Sequence, residues 1–376
     1  MIFKREIEKR LIAPHGKGRV TLLSGPSQSG KSFLLQRFSG QEKNFLLLNA
    51  SITQDLALIR FGSNEEIKGR LRATRFLWVD EAQIMSDLQT LVSRILNLLP
   101  DLQIILSVNS LTEELNEWIG ENIPQIRWLK IFPLSWSEFE LDTGKIQANS
   151  DLENRILYGM FPEVIMHPGN ESNILNKIIS VSVLEDIFSR ASIRKTEIPK
   201  KLLRILAINL GTEISCNEMA RLVEVDKNTI IHYLEILENA FVVFRLNSLS
   251  RNGSYEVSDG RKYYFYDTGI RNAILKNFNP PELRLDWEAL WENFLIAEKL
   301  KSNQNNGIWA DCFFWRSYQQ QKVEYLEETS AGMNAWKFKW NSVKGKKFPI
   351  TFSNAYPGSV FEVINKDNFH NFLGID

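Results

Sequence analysis

The densest run of chemistry in this sequence is GPSQSGKS, residues 25–32, set between an apolar stretch, VTLL, and an apolar-periodic one, FLLQRF. Gly25, Gly30, Lys31 and Ser32 match the spacing GxxxxGK[ST]. Glycines at those positions let the main chain wrap so that its N–H groups point inward at phosphate oxygens. Lys31 can then reach the β- and γ-phosphates, and the Ser32 hydroxyl can ligate magnesium. Pro26, Ser27, Gln28, Ser29 and Phe33 complete the nucleotide-binding stretch; Ser27, Gln28 and Ser29 occupy its variable part and do not discriminate among nucleotides. A second constellation is FLWVDEAQ, residues 76–83, an apolar run that ends in two carboxylates. Asp80 at the tip of a buried strand suits the magnesium shell, and Glu81 suits a group that polarises the water attacking a γ-phosphate. The plainer reading is that Asp80 and Glu81 cap the next helix.

These groups need strand, loop and helix around them. VTLLS predicts the strand, and KSFLLQRF predicts a helix whose N-terminus favours a bound anion. Further strand-like runs are NFLLLN (44–49), QIILSVNS (103–110) and RWLKIF (127–132), with helical spacing in EEIKGRLR and DLQTLVSRILNLL between them. Such alternation predicts an α/β fold with a parallel sheet covered on both faces. Ligands bind at the carboxyl ends of such strands, where Ser32, Asp80 and Asn109 are expected to converge. Asn109 is a candidate sensor of the water or the γ-phosphate, and equally a solvated loop residue.

Formal net charge is zero, with 45 basic and 45 acidic residues, so no global field draws the chain to nucleic acid or to an anionic membrane. Cys216 and Cys312 stand far apart with no neighbouring cysteine, which argues against a zinc site or a disulfide framework and for reduced, buried thiols. No segment approaches the ~20 apolar residues of a membrane span. The expected setting is cytoplasmic, with no membrane partner.

GPSQSGKS and VDEAQ, together with FPLSWSEFE (132–140), YGMFPEV (158–164), LEDIF (184–188) and the stretch from LLRILAINLG to YYFYDTGI, carry a resemblance. The chain resembles the prokaryotic AAA-type ATPases that end in a C-terminal domain of unknown function. The resemblance implies a P-loop core with a five-stranded parallel sheet, ATP rather than GTP, and Mg2+ held by Ser32 and Asp80. Catalytic roles then fall to Lys31 and Glu81. Such ATPases usually have a Gly-Arg pair shortly before the Pro-Leu-Ser stretch; here the region reads NIPQIRWLKIFPLS, and Arg127 is nearby but shifted. Arg127, Arg190 and Arg194 are the arginine-finger candidates, acting in their own chain or from a neighbouring subunit, with ordinary surface ion pairs as the alternative. VDEAQ is also similar to helicase sequences, but the later arginine-rich motif and the second sheet of that class are missing.

Residues 201–246 predict three helices in short order. KLLRILAINLG stops at Gly211, Ser215 with Glu218 forms a capping box, and KNTIIHYLEILENAF carries an apolar face of Ile230, Tyr233, Leu234 and Leu237. A strand, FVVFRL, a polar loop and KYYFYD complete the order of a winged-helix module. The third helix offers Lys227, Asn228, Thr229 and His232, but also Glu235 and Glu238, less basic than a reading helix. Basic residues gather at Lys200, Lys201 and Arg204, and on the wing at Arg245, Arg251, Arg261 and Lys262. DNA contact and a docking role, within the molecule or between subunits, both stay open.

The last segment, WEALWENFLIAEKL to FKW (287–340), resembles the restriction-endonuclease-like domain found at the end of these ATPases. In active members a helix Glu, a strand Asp and a Glu-x-Lys pair bind magnesium. Here the helix presents Glu292, Glu324 stands for the Asp, and Lys337, followed by Lys339, replaces the Glu. An ammonium group in place of a ligand carboxylate repels the cation, so Glu292, Glu324, Lys337 and Lys339 form a degenerate site in an inactive shell. WKFKWNSVKGKKF interleaves Trp336, Trp340 and Phe348 with Lys337, Lys339, Lys344, Lys346 and Lys347. Single-stranded nucleic acid binds such patterns, although a strand with buried aromatics and a solvated lysine turn is the plainer reading.

The expected organisation is an ATPase core (1–150), a helical connector (151–199), a winged-helix module (200–280) and a degenerate nuclease-like domain (281–376). The leading expectation is a magnesium-dependent ATPase whose nucleotide state controls the later domains. The alternatives are an ATP-regulated DNA nuclease, and a DNA- or protein-binding module that holds nucleotide without hydrolysing it. A homo-oligomer or a protein partner is compatible with each.

Overall fold

The structure, a computed structural model, describes residues 3–12, 19–41, 44–121, 125–181, 197–251, 256, 260–342 and 349–375. It divides into two compact units, Arg5–Pro133 on one side and Met1–Lys4 with Leu134–Asp376 on the other.

The first unit is built on five parallel strands, β1 (Val20–Ser24), β2 (Phe45–Asn49), β3 (Phe76–Asp80), β4 (Gln103–Val108) and β5 (Ile126–Lys130), in the order β2-β3-β4-β1-β5. This is the five-stranded parallel sheet expected. Strand β1 is buried along its whole length, as a central parallel strand flanked by helices must be. Helix α1 (Lys31–Gln41) follows the loop after β1 and buries Leu34, Leu35 and Phe38 against Leu23, Trp78, Ile105 and Leu129 of the sheet. Helix α2 (Leu88–Leu98) buries Leu88, Leu91, Val92 and Ile95, the spacing of one apolar helical face. The sheet order makes the chain reverse direction around β1, and the carboxyl ends of β1, β3 and β4 share the edge of the sheet where ligands of such folds bind.

The second unit starts at Leu134, earlier than the border expected near residue 150. The helix formed by WSEFELDT explains the shift. Ser135 and Glu138 make a complete capping box at its start, and the Trp136 amide donates to the buried carboxylate of Glu298 at 2.5 Å. Lys301 bridges that carboxylate at 2.6 Å and the Leu134 carbonyl at 3.1 Å. The chain after Pro133 is therefore tied into the second unit by polar groups that have no water to replace them.

YGMFPEV and YDTGI lock together in the same way. A Cβ on Gly159, whose φ is +76°, would lie 1.9 Å from the Asp267 carboxylate. That carboxylate accepts from the Met160 amide at 2.7 Å and caps the helix Thr268–Leu275 through the Ile270 amide. These stretches are framework.

Three helices, α3 (Glu197–Ile208), α4 (Cys216–Val223) and α5 (Lys227–Asn239), precede the antiparallel pair β6 (Val243–Ser248) and β7 (Arg261–Phe265). Ser215 and Asp226 cap α4 and α5 through the amides of Glu218 and Thr229. The strand pair belongs to a larger sheet. Asn247 and Ser248 of β6 pair in parallel with Phe313 and Phe314 of β8 (Asp311–Arg316). One six-stranded sheet thus runs β11-β10-β9-β8-β6-β7, where β9 is Lys322–Thr329, β10 is Gly332–Phe338 and β11 is Val360–Ile364. This sheet combines strands from both sides of residues 280–281. Val243, Phe244, Leu246, Tyr263, Tyr264 and Phe265 are all buried, too apolar for a hairpin standing in solvent.

Among the described residues no helix is long and apolar enough to cross a membrane. Cys216 is buried, Cys312 is half-buried, and both are free thiols.

Candidate nucleotide site

The loop from Gly25 to Gly30 joins β1 to Lys31 and Ser32 at the start of α1, at the carboxyl edge of the sheet. Its first glycine is required by contact: a Cβ there would lie 1.9 Å from the Ile131 carbonyl oxygen. Gly30 is required by conformation, with φ of +99°, and Gln28 also adopts a positive φ of 64°. The Lys31 ammonium donates to the carbonyls of Gly25 and Pro26, each at 2.7 Å, so the side chain curls over its own loop. Burial pushes Lys31 down to about 7, against the opposing pull of Asp80 and Glu81, while Arg5 pushes it further down. Both carboxylates are thus near enough to the ammonium to act on its charge. Ser32, at the start of α1, is exposed, Phe33 and Ser27 are half-buried, and Ser29 is fully buried.

At the same edge, β3 delivers Asp80. One of its oxygens accepts from the Ser107 hydroxyl of β4 and from the Glu81 amide at 3.0 Å. Ser107 in turn accepts from the Trp78 indole at 2.9 Å, so the carboxylate is held by a buried chain of donors. Glu81 sits in the left-handed region, φ 55° and ψ 34°, and starts the turn Ala82–Ile84 without a side-chain cap. Its role as a simple helix cap is thereby set aside, and a strained carboxylate at the rim of a cleft is a feature of functional sites. Asn109 follows β4 on the same crest, its amide donating to the Gln83 side chain at 3.3 Å.

Residues 17–140 match the family model described as AAA domain. The match supports an ATP-binding protein of the AAA type. Residues 149–281 match a second model, a domain of unknown function (DUF8612). An uncharacterized protein of Haemophilus influenzae is 27% identical over 304 residues, covering 73% of this chain and 74% of that one. Another uncharacterized protein, from Methanocaldococcus jannaschii, is 24% identical over 279 residues, covering 66% of this chain and 60% of that one. The second match thus spans less than two thirds of its relative. Among solved structures, one described as Drosophila ORC bound to DNA has a TM-score of 0.27 at 14% identity, covering 66% of this chain and 87% of that one. That score is too low to carry an argument about the chain.

The first unit brings Lys31, Ser32, Asp80, Glu81 and Asn109 to one edge of the sheet. Arg127 is not brought there. It pairs in register with Thr21, three residues before the end of β1, and its guanidinium donates to Thr21 at 3.1 Å and to the Leu11 carbonyl at 2.9 Å. It lies toward the amino end of the strands and holds the N-terminal helix Glu8–Ile12. Arg190 and Arg194 lie outside the described residues.

The residue that sequence reasoning missed is Arg5, whose guanidinium donates to the Ser29 carbonyl of the loop at 2.5 Å. The only signal was the i, i+4 pair Ile7 and Leu11, which pack against α1 and the sheet.

In the second unit, Glu292 on the helix Trp287–Asn306 accepts from the Tyr264 hydroxyl at 2.6 Å and faces Lys262 at 3.5 Å. Glu324 is 4% exposed, and its Oε2 has no hydrogen-bond partner. Burial pushes Glu324 up to about 7, and Glu292 adds to this against Lys337, Lys322 and Lys262. Glu292 and Lys337 are thus among the charged groups that act on Glu324. Lys339 does not join them: it pairs with Glu288 at 3.6 Å. Among the described residues no group of three or more His, Cys, Asp or Glu is arranged to hold a metal ion.

The raised Glu324 sets a sign. The folded chain binds a proton there at a pH where the unfolded chain has released it, so this stability is complete at low pH and lost as pH rises from about 4.5 toward about 7. Thermal unfolding of Glu324→Gln is expected to be flatter than wild type across that window, with the variant gaining relative stability at neutral pH. Equal slopes would contradict it.

The DNA-contact candidates fare differently. Arg245 pairs with Glu238 at 3.8 Å, Arg251 with Glu328 at 2.5 Å and Lys262 with Glu292, while Arg261 donates to the Cys216 sulfur at 3.6 Å. Trp336 stacks on Tyr325, and Trp340 packs edge-on against Trp287 and Trp291. Trp336 is thereby buried in the core, and Trp340 is half-buried against it. Lys344, Lys346, Lys347 and Phe348 lie outside the described residues.

Proposed function

We propose that the chain is a magnesium-dependent ATP hydrolase whose nucleotide state acts on the second unit. The observation that carries this reading is electrostatic convergence. The buried Lys31 feels Asp80 at the end of β3 and Glu81 just after it, and Asp80 is fixed by Ser107. Oxygen donors suit a hard divalent cation, and the exposed Ser32 hydroxyl with the free oxygen of Asp80 would hold it. When bound, magnesium offsets the charge on the β- and γ-phosphates.

The loop amides and the N-terminus of α1 bind the phosphates, and Lys31 exchanges its carbonyl partners for phosphate oxygens. Glu81 orients a water and accepts its proton as the water oxygen bonds to the γ-phosphorus. The bond to the bridging oxygen breaks, and that oxygen leaves on ADP.

The helix order α3 to α5 with β6 and β7 supports a winged-helix relation for the second unit, and the Glu292–Glu324 cluster supports a nuclease-like one without cleavage chemistry. With the wing cations paired and Glu235 exposed on α5, the target favoured is a protein surface or a second copy of the chain.

The test is titration calorimetry with ATP and magnesium across pH. A Lys31 that titrates near 7 must take up a proton to bind phosphate at higher pH. Affinity is therefore expected to fall from about pH 7 to 9, by at most about tenfold per unit, with proton uptake visible in buffers of different ionisation enthalpy. Absence of saturable heat at any pH would end the proposal.

A further inference from the structure

Arg5 bonds at two places with one planar group. Its Nη1 donates to the Ser29 carbonyl at 2.5 Å and its Nη2 to the Phe132 carbonyl at 2.8 Å. The side chain is 5% exposed, so these bonds are made away from water and are correspondingly strong. A trans peptide points its carbonyl and the following amide in opposite directions. The guanidinium therefore pulls on one side of the Ser29–Gly30 peptide while the Gly30 amide faces the other way, toward the phosphate position. A Cβ on Gly30 would lie 3.1 Å from Nη1, so the approach is close.

The second anchor has a different significance. The chain passes between the two units at Lys4–Arg5 and again at Pro133–Leu134. Arg5 is the first residue after one passage, and Phe132 lies just before the other. Ile7 and Leu11 seat the same segment in the core, and Glu8 pairs with Arg37 of α1 at 3.3 Å. A rigid fork thus ties the phosphate loop to both connections.

We infer that Arg5 is a positioning residue that carries the occupancy of the phosphate loop to the two chain connections joining the units. The inference rests on the nucleotide-binding reading above. Phosphate drawn to the Gly30 amide rotates the Ser29 peptide, the guanidinium follows the carbonyl, and the Phe132 carbonyl follows the guanidinium.

Hydrogen exchange on the full chain, with and without saturating ADP and magnesium, tests it. In wild type, the amides of Ile131, Phe132, Leu134 and Ser135 are expected to slow by at least about threefold on nucleotide addition. In Arg5→Met, nucleotide binds about tenfold more weakly, and at saturation the slowing at these amides disappears while that in the loop persists. Arg5→Lys, which keeps the charge but lacks the planar fork and the reach that span the Ser29 and Phe132 carbonyls, is expected to do the same and serves if the methionine variant does not fold. Unchanged slowing in a variant that folds overturns the inference alone. A wild-type chain that binds no nucleotide overturns the proposed function together with it, so the two failures are distinct.

Discussion

Lys31→Met is expected to lower affinity for ATP by roughly a hundredfold or more, because two charge-assisted bonds to phosphate contribute about 1.5–3 kcal/mol each. Methionine keeps the length and the apolar stem, so the loop remains filled. The variant loses the ammonium that donates to the Gly25 and Pro26 carbonyls, but it also removes a buried charge that burial had already destabilised. These two effects oppose, and the melting temperature without nucleotide is expected to stay within a few degrees of wild type. Calorimetry for affinity and thermal unfolding for stability separate a binding defect from a folding one. Near-normal ATP affinity in a folded variant would show that the loop does not grip phosphate through this side chain.

Glu81→Gln should leave binding nearly intact and slow hydrolysis by about 10²–10³, the usual loss when a positioned general base is removed. The amide matches the carboxylate in shape and can still touch water, but it cannot accept the proton. The left-handed backbone at residue 81 is compatible with either side chain, so the turn Ala82–Ile84 is preserved. Single-turnover measurement with bound ATP is the appropriate experiment, since it isolates the chemical step from product release. Equal rates would remove Glu81 from the mechanism. A wild-type chain that binds ATP and releases no phosphate would favour the non-hydrolysing switch.

The first half of the chain was legible because its signals are local. Gly25, Gly30, Lys31 and Ser32 lie within eight residues, and FLWVD announces both its own burial and the carboxylate at its end. All five strands of the first sheet lie where the apolar runs predicted them, within two residues at most ends. In the second unit α3 to α5 and β6 to β10 were readable one at a time, whereas β11 and the short helices on either side of it were not. The assembly was not readable either, since wing strands and nuclease-like strands look independent until β6 pairs with β8.

Three placements depended on contacts between residues remote in sequence. Arg127 sits near the expected finger position along the chain, yet its register against Thr21 directs it to the opposite end of the sheet. Arg5 carries no motif, and its role arises from carbonyls 24 and 127 positions away. Trp336 and Trp340 read either as stacking faces beside lysines or, more plainly, as buried strand aromatics, and packing on Tyr325, Trp287 and Trp291 sets both against the core.

The amino-acid order by itself determined the phosphate loop, the acidic strand tip and the alternation of strands and helices, because each is encoded by neighbours within one or two turns or one strand. Only the tertiary structure decided which cations face the site, where one unit ends, and whether an aromatic is core or surface. Those outcomes depend on strand order and register, and these are selected by the burial of the whole chain rather than by any short stretch of it.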